Sequence, residues 1–241
     1  MKNLLQLFTT SINSISTKSN VPFINPTEIY NEGWMTRFLV HYSMQENLNI
    51  EGLIDFGKIK NATSEGLISS PFINVDKNRE GYTHADMAMG DFKIDYETRG
   101  EIKVEDGASI FGIIEAKMKS NLSKGTTNAS NYNQASRNIA CIAHNCQHPE
   151  IENFFIVTAP EAMVIHHKIK DQLDKEVIKS QIRNRFQISE VKEDTILLDR
   201  VDRCNIRILT YEDWIDQFEE GDLKEELNGF YNECLKWNRL N

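Results

Sequence analysis

The stretch FGIIEAKMKSNLSKG, residues 111–125, carries two charges at the end of an apolar strand. Side chains alternate between the two faces of a strand, so Glu115 and Lys117 share one face while Ala116 points to the other. A charge inside an apolar strand is costly unless it pairs with an opposite charge or binds a metal ion. An exposed pair would contribute only about 0–1 kcal/mol. The apolar run before Glu115 instead favours burial, and with it a metal site.

Length and composition are those of a globular protein. The chain has 241 residues, of which 40% are hydrophobic and 26% are charged, enough for one domain with a full core. No linker or repeat divides it, so we predict a single domain, residues 1–241. No apolar run approaches the roughly 20 residues that cross a membrane, and the N-terminus lacks the apolar segment of a secretory signal. The expected location is the cytoplasm.

Hydrophobic periodicity predicts an α/β protein with a central mixed β-sheet flanked by helices. We predict an N-terminal helical extension at 1–25 and a helix at 26–45 with Thr27 as its N-cap. The remaining predicted elements are strands at 85–96, on both sides of a turn at 106–107 and at 153–160, a helix at 131–144, and an acidic helical tail at 211–241.

The net charge of −9 is unfavourable for a nucleic-acid-binding protein, because phosphate contacts need Lys and Arg. Residues 211–241 hold nine acids against three bases, so most of the excess negative charge lies there. Residues 166–186 hold six bases against three acids. This basic segment either faces phosphates or is a solvated helix surface, and the sequence leaves both interpretations open.

Two further acids are candidates for the same site. Glu32 shares a helical stripe with Met35 and Leu39, so it faces inward either as a site residue or as a structural acid. Asp86 opens the strand that precedes the Glu115 strand, in THADMAMG (83–90). Asp91 is the alternative on that strand. Regular alternation puts Asp91 on the opposite face, in a solvated row, and therefore favours Asp86.

Paired carboxylates beside a lysine suit phosphodiester hydrolysis. Magnesium takes one or two protein carboxylates together with waters and substrate phosphates. A lysine next to it can orient or deprotonate a water, or stabilise charge that grows on the phosphate. Because Lys117 lies about 7 Å along the strand from Glu115, we expect its amine to reach a water or phosphate rather than stay against one carboxylate.

These residues resemble the PD-(D/E)XK nuclease superfamily, which has the restriction-endonuclease-like fold. The similarity is carried by Asp86, by IIEAK (113–117) at a strand end and by NYNQASRNIACIA (131–143) as the following helix. The stretches IYNEGWMTRF (29–38), SEGLISSPF (64–72) and THADMAMGDF (83–92) also resemble a group of uncharacterised bacterial proteins assigned to that fold. Alanine, not the proline of the family name, precedes Asp86.

The resemblance implies a magnesium-dependent nuclease, a hydrolase acting on DNA, in which Mn²⁺ could replace Mg²⁺. It implies that Asp86 and Glu115 bind the metal with help from the Ala116 carbonyl, and that Lys117 activates or orients water. Glu32 would match the acid that many members place on the first helix. Gln134 would match a polar residue on the substrate side.

The alternative is a catalytically inactive module on the same fold that binds nucleic acid or protein. An intact set of Asp86, Glu115 and Lys117 favours the nuclease. The acidic balance favours the module, or a nuclease that borrows basic surface from a second subunit in a homodimer or from a basic partner protein. DNA against RNA, strand type and sequence specificity stay open.

Overall fold

The computed structural model describes residues 24–125 and 128–238. Within them, the main strands are β3 (Asn61–Ile68), β4 (Thr83–Gly90), β5 (Phe92–Asp95), β6 (Glu101–Val104), β7 (Ile110–Ala116), β8 (Glu152–Ala159) and β9 (Asn205–Thr210). They form one mixed seven-stranded sheet in the order β5-β6-β3-β4-β7-β8-β9. Two short strands, β1 (Asn49–Ile50) and β2 (Ile54–Asp55), pair separately. The predicted α/β class with a central mixed sheet is confirmed.

Helices cover both faces of this sheet. They are α1 (Pro26–Ile29), α2 (Glu32–Gln45), α3 (Gln134–Asn145), α4 (Glu161–His166), α5 (Ile169–Gln172), α6 (Lys175–Ile188), α7 (Thr195–Arg203), α8 (Tyr211–Asp216) and α9 (Asp222–Trp237). Helices α2, α8 and α9 share one hydrophobic core with Ile114 of β7. Helices α3, α6 and α7 share the other core with Ile113. The sheet therefore buries both of its faces.

Strand β7 lies at the centre because its sequence is apolar on both faces. All seven of its residues are buried, and it pairs antiparallel with β4 and parallel with β8. Such continuous apolar runs are typical of strands covered on both sides. Gly112 permits the close approach of β8, since a Cβ at this position would lie 2.4 Å from the Phe154 carbonyl oxygen. The apolar run before Glu115 thus forms a buried inner strand of the sheet.

Two predicted elements are each divided in two. The helix predicted at 26–45 is interrupted at Asn31, whose side chain accepts the N–H of Trp34 and so begins α2. Asn25, not Thr27, caps α1. The strand predicted at 85–96 ends at Gly90, which has a φ of 129° and lies so close to β7 that a Cβ would be 2.2 Å from the Ile110 carbonyl oxygen.

The predicted tail can be described to Trp237, whereas most of the predicted N-terminal extension cannot. Residues 1–23 of the predicted N-terminal extension lie outside the described residues. The predicted tail at 211–241 is helical as far as Trp237, but it is part of the body: Trp214 is fully buried and donates a hydrogen bond to Ser43 of α2. Among the helices of the described segments, none combines the length and the apolar character needed to cross a membrane.

Candidate active site at the ends of β4 and β7

The candidate site begins where β4 and β7 separate. The last paired residues of the two strands at this end are Met87 and Ile114. One residue beyond that pair, the Asp86 side chain bridges the gap, and its Oδ2 accepts a 2.8 Å hydrogen bond from the Ala116 N–H. Asp86 therefore takes the place of a backbone partner for β7 and is held at the end of that strand.

The sheet is irregular at the same point. In the pairing of β3 with β4, Ser64 lies opposite Met87 and Gly66 opposite Ala85, so Glu65 stands opposite Asp86. Glu65 has a φ of 56°, a left-handed conformation that is costly for a residue with a side chain.

This irregularity changes which faces the neighbours of Asp86 occupy. Ala85 lies in the core beneath α3, whereas Met87 lies in the core beneath α2, although regular alternation would put both on one face. Asp86 stands between them at the boundary of the two faces. Its side chain is 31% exposed and lines a cleft on each side of the sheet.

Glu115 and Lys117 form a buried ion pair beside Asp86. Glu115 is fully buried and Lys117 is 8% exposed. The Lys117 amine contacts Glu115 Oε1 directly and lies 3.9 Å from Asp86 Oδ2. The expectation that this amine would stay away from the carboxylate is wrong. Lys117 lies one residue beyond the end of β7, but its N–H still donates to the Thr158 carbonyl of β8 at 2.8 Å. Its long side chain spans the distance back to the buried acid, whose charge needs a partner.

Helix α3 supplies two amides that hold Glu115. Gln134 Nε2 donates to Oε1 at 2.5 Å, and Asn138 Nδ2 donates to Oε2 at 2.8 Å. The two amides are one turn apart and so face the same side of the helix. The Gln134 side chain is oriented by Ser123, whose N–H donates to Gln134 Oε1 at 3.2 Å.

Asn138 was missed in the sequence analysis. It is fully buried, and its Oδ1 has no hydrogen-bond partner among the described residues. The available signal was its spacing of four residues from Gln134, which places both amides on the helix face that covers β7.

Burial and repulsion set the electrostatics of the group. Burial and the neighbouring Asp86 charge raise the pKa of Glu115 to about 8, although Lys117 opposes them. Burial alone would lower the pKa of Lys117, but the charges of Glu115 and Asp86 outweigh it and raise that pKa. Two carboxylates thus share one ammonium group.

The donor set fits a hard divalent cation. Asp86 Oδ1 accepts no hydrogen bond from the described residues, and the paired carboxylates would repel each other less around a positive ion. Across 24–125 and 128–238, no three His, Cys, Asp or Glu side chains form a ready cage for a metal. Magnesium does not require one, because it usually keeps several waters and takes one or two protein carboxylates.

Glu32 lies across the second cleft, on its α2 wall. This α2-side cleft has a volume of about 530 Å³ and is also lined by Arg37, Glu65 and Asp86. Within the described part of the chain, Glu32 makes no hydrogen bond to the Glu115–Lys117 pair, but its negative charge contributes to the raised pKa of Lys117. The structure thus brings Glu32 to the same cleft as Asp86 without direct contact to the pair.

Asp91, the alternative to Asp86, has a different environment. Its Oδ2 accepts hydrogen bonds from the N–H and the hydroxyl of Ser109, both at 2.8 Å, and its Oδ1 lies 3.0 Å from the Lys60 amine. The expected solvated row is wrong, because Asp91 is fully buried. It joins the start of β5 to β7, since Gly90 turns the chain inward just before it.

The basic segment at 166–186 runs from the last residue of α4 through α5 and into α6, and several of its bases have local partners. The Lys179 amine lies 2.7 Å from Asp202, and the Lys175 amine donates to the Asp202 carbonyl at 2.6 Å. Arg185 is fully buried and pairs with Glu80 at 3.3 Å. These three bases are therefore held locally, whereas Lys168 and Lys170 are exposed and form no ion pair among the described residues. Contact of this segment with phosphate stays a prediction.

The site thus collects Asp86, Glu115, Lys117 and Gln134, which sequence reasoning named, with Asn138, which it missed, and with Glu32 facing them across a cleft. Comparisons of the chain with protein-family models, with curated proteins and with solved structures returned no match.

Proposed function

We propose that this protein is a magnesium-dependent nuclease that hydrolyses phosphodiester bonds in DNA. The observation that carries the proposal is the meeting of Asp86, Glu115 and Lys117 where β4 and β7 separate. Two acids and one lysine, from β4, β7 and the residue just after β7, lie together at the end of a sheet whose buried side chains are mostly apolar. A buried group of this kind is costly and is typical of a functional site.

The arrangement of elements supports a restriction-endonuclease-like core. Strand β7 carries the candidate acid and lysine, β4 carries the candidate aspartate beside it, and α3 follows β7 along the chain and covers it. Helix α2 lies on the other face and begins with Glu32. We place the enzyme in the cytoplasm with DNA as its partner.

Each residue has a role in the proposed reaction. Asp86, Glu115 and the Ala116 carbonyl would hold Mg²⁺ or Mn²⁺, which supplies a Lewis acid that draws charge from the phosphoryl group. Gln134 and Asn138 keep the Glu115 carboxylate fixed. The Lys117 ammonium group would stabilise the negative charge that grows on the phosphate in the transition state. Glu32 would orient a water from the opposite wall of the α2-side cleft.

A binding module without activity is the second candidate, and the hydrogen bonding of Glu115 favours it. Its two oxygens already receive three donors, from Lys117, Gln134 and Asn138, as a purely structural acid would. The net charge of −9 points the same way.

Metal binding and cleavage, measured together, test the proposal. We expect calorimetry to detect Mg²⁺ or Mn²⁺ binding to the wild type, and Asp86→Asn to weaken it while keeping the size of the side chain. Single- and double-stranded DNA should be cut by the wild type and not by Asp86→Asn. Asp91→Asn is the matched control: it changes a buried acid just after β4, outside the group, and should keep metal binding. If the wild type binds the metal but cleaves no DNA, the nuclease is rejected and the binding module is the remaining candidate.

A further inference from the structure

The cleft on the α3 side of Asp86 has features that the proposed chemistry does not use. This α3-side cleft has a volume of about 400 Å³, and its lining includes Arg79, Tyr82, His84, Asp86, Gln134 and Arg137. It opens directly beside the candidate site, since Asp86 and Gln134 belong to both. Any substrate that reaches Asp86 from this side has to lie along this lining.

Two arginines on the cleft wall lack an anion. Arg79 is exposed and forms no ion pair within the described segments. Arg137 forms none there either, and its Nε is buried without a hydrogen-bond partner among those residues. A guanidinium that lines a cleft without a paired carboxylate suits an incoming oxyanion.

The acids of the same cleft do not cancel these charges. The Glu80 carboxylate is 6% exposed and is held by the buried Arg185 at 3.3 Å. Asp86 belongs to the proposed metal site, where a cation would neutralise it. The cleft is therefore a local positive region on a chain whose net charge is −9.

Tyr82 adds an aromatic surface next to these arginines. It is 39% exposed, and its ring makes no aromatic contact among the described residues. Bases of a single strand stack on such rings, whereas paired bases in a duplex are already stacked on each other. A volume of 400 Å³ is also that of a pocket for one small molecule rather than for a double helix.

We infer that the α3-side cleft binds one unpaired nucleotide of a nucleic-acid strand, with its phosphate on Arg79 and Arg137 and its base on Tyr82. The inference deepens the proposed nuclease function by assigning it a single-stranded substrate region. Strand binding itself can be measured without cleavage, so the two proposals can fail separately.

Fluorescence anisotropy in Ca²⁺ tests the inference, with a labelled oligothymidylate, the matching oligouridylate and a blunt-ended DNA hairpin as probes. We expect the wild type to bind a single strand at least about tenfold more tightly than the hairpin. Tyr82→Ala should weaken that binding about tenfold and Tyr82→Phe should not, because stacking needs the ring and not the hydroxyl. Comparison of the affinities for the oligothymidylate and the oligouridylate shows whether the protein prefers a DNA or an RNA strand.

Arginine variants test the phosphate contact. Arg79→Gln, at an exposed position that does not threaten folding, should weaken single-strand binding and lower its salt slope by about one. Arg137→Gln should do the same, with thermal melting as a check on folding. Tyr96→Ala and Arg203→Gln are matched controls, since both side chains are exposed and lie outside the cleft.

The outcomes separate the two proposals. Tighter binding of the hairpin, or wild-type affinity in both Tyr82→Ala and Arg79→Gln, would overturn the inference even if the protein cleaves DNA. Tyr82- and Arg79-dependent binding of a single strand, without cleavage of any nucleic acid in Mg²⁺ or Mn²⁺, would support the inference and reject the nuclease.

Discussion

Removal of the Lys117 amine should destabilise the protein as well as stop the proposed reaction. Lys117 is 8% exposed and pairs with Glu115, which is fully buried. Loss of one partner from a buried pair costs about 3–5 kcal/mol, because the other charge is left without compensation. For a domain of this size, 1 kcal/mol corresponds to about 2–4 °C in Tm. We therefore expect Lys117→Ala to lower the Tm by roughly 10 °C at a pH of about 9.

The size of this loss should depend on pH. Burial and the Asp86 charge raise the pKa of Glu115 in the folded protein to about 8, above its ordinary value of 4.5. An acid whose pKa is raised in the folded state stabilises the fold at low pH. That stability is lost as the pH rises from the pKa of the unfolded state towards the pKa of the folded state. Without Lys117 the folded pKa should be higher still. The protonated acid needs no cation, so Lys117→Ala should be close to wild type at about pH 5.

Thermal melts in EDTA across this pH range measure the effect for wild type, Lys117→Ala, Glu115→Gln and the double variant. The neutral amide of Glu115→Gln should restore stability to Lys117→Ala and remove its pH dependence. Cleavage should stay absent in the double variant, which separates a chemical role from a structural one. A Tm deficit of Lys117→Ala that is equal at both ends of the range, or that Glu115→Gln fails to relieve, would refute the pairing.

Three further substitutions test other parts of the argument. Asn138→Ala should weaken Mg²⁺ binding by about 10–100-fold, because Glu115 loses the amide that fixes Oε2; calorimetry measures it, and unchanged affinity would remove Asn138 from the site. Glu65→Gly should be more stable than Glu65→Ala by about 1 kcal/mol in urea unfolding, since only glycine accepts a positive φ without strain. In an ordinary strand alanine is more stable than glycine, and that result here would contradict the left-handed conformation of Glu65. Gly112→Ala should cost about 3 kcal/mol or more in the same assay, because its Cβ would overlap Phe154; a near-neutral result would show that β7 and β8 can move apart.

The sequence by itself determined the features that depend on local pattern. The apolar run that ends in Glu115 and Lys117 predicted a buried strand, and the structure has it inside the sheet with all seven residues buried. The helix with Gln134 and the strand at 153–160 were also predictable from local pattern. Hydrophobic periodicity depends only on residues that are close in sequence, so it indicates these elements without knowledge of their tertiary contacts.

Only the tertiary structure decided which polar groups meet. Asp91 is buried because Ser109 and Lys60, both distant in sequence, satisfy its oxygens, whereas strand alternation predicted a solvated side chain. The left-handed Glu65 opposite Asp86 breaks that alternation through the pairing of β3 with β4. Lys117 folds onto Glu115 because that acid is fully buried and its charge needs a partner. Each of these outcomes depends on desolvation and on partners from other elements, and a local pattern carries no information about either.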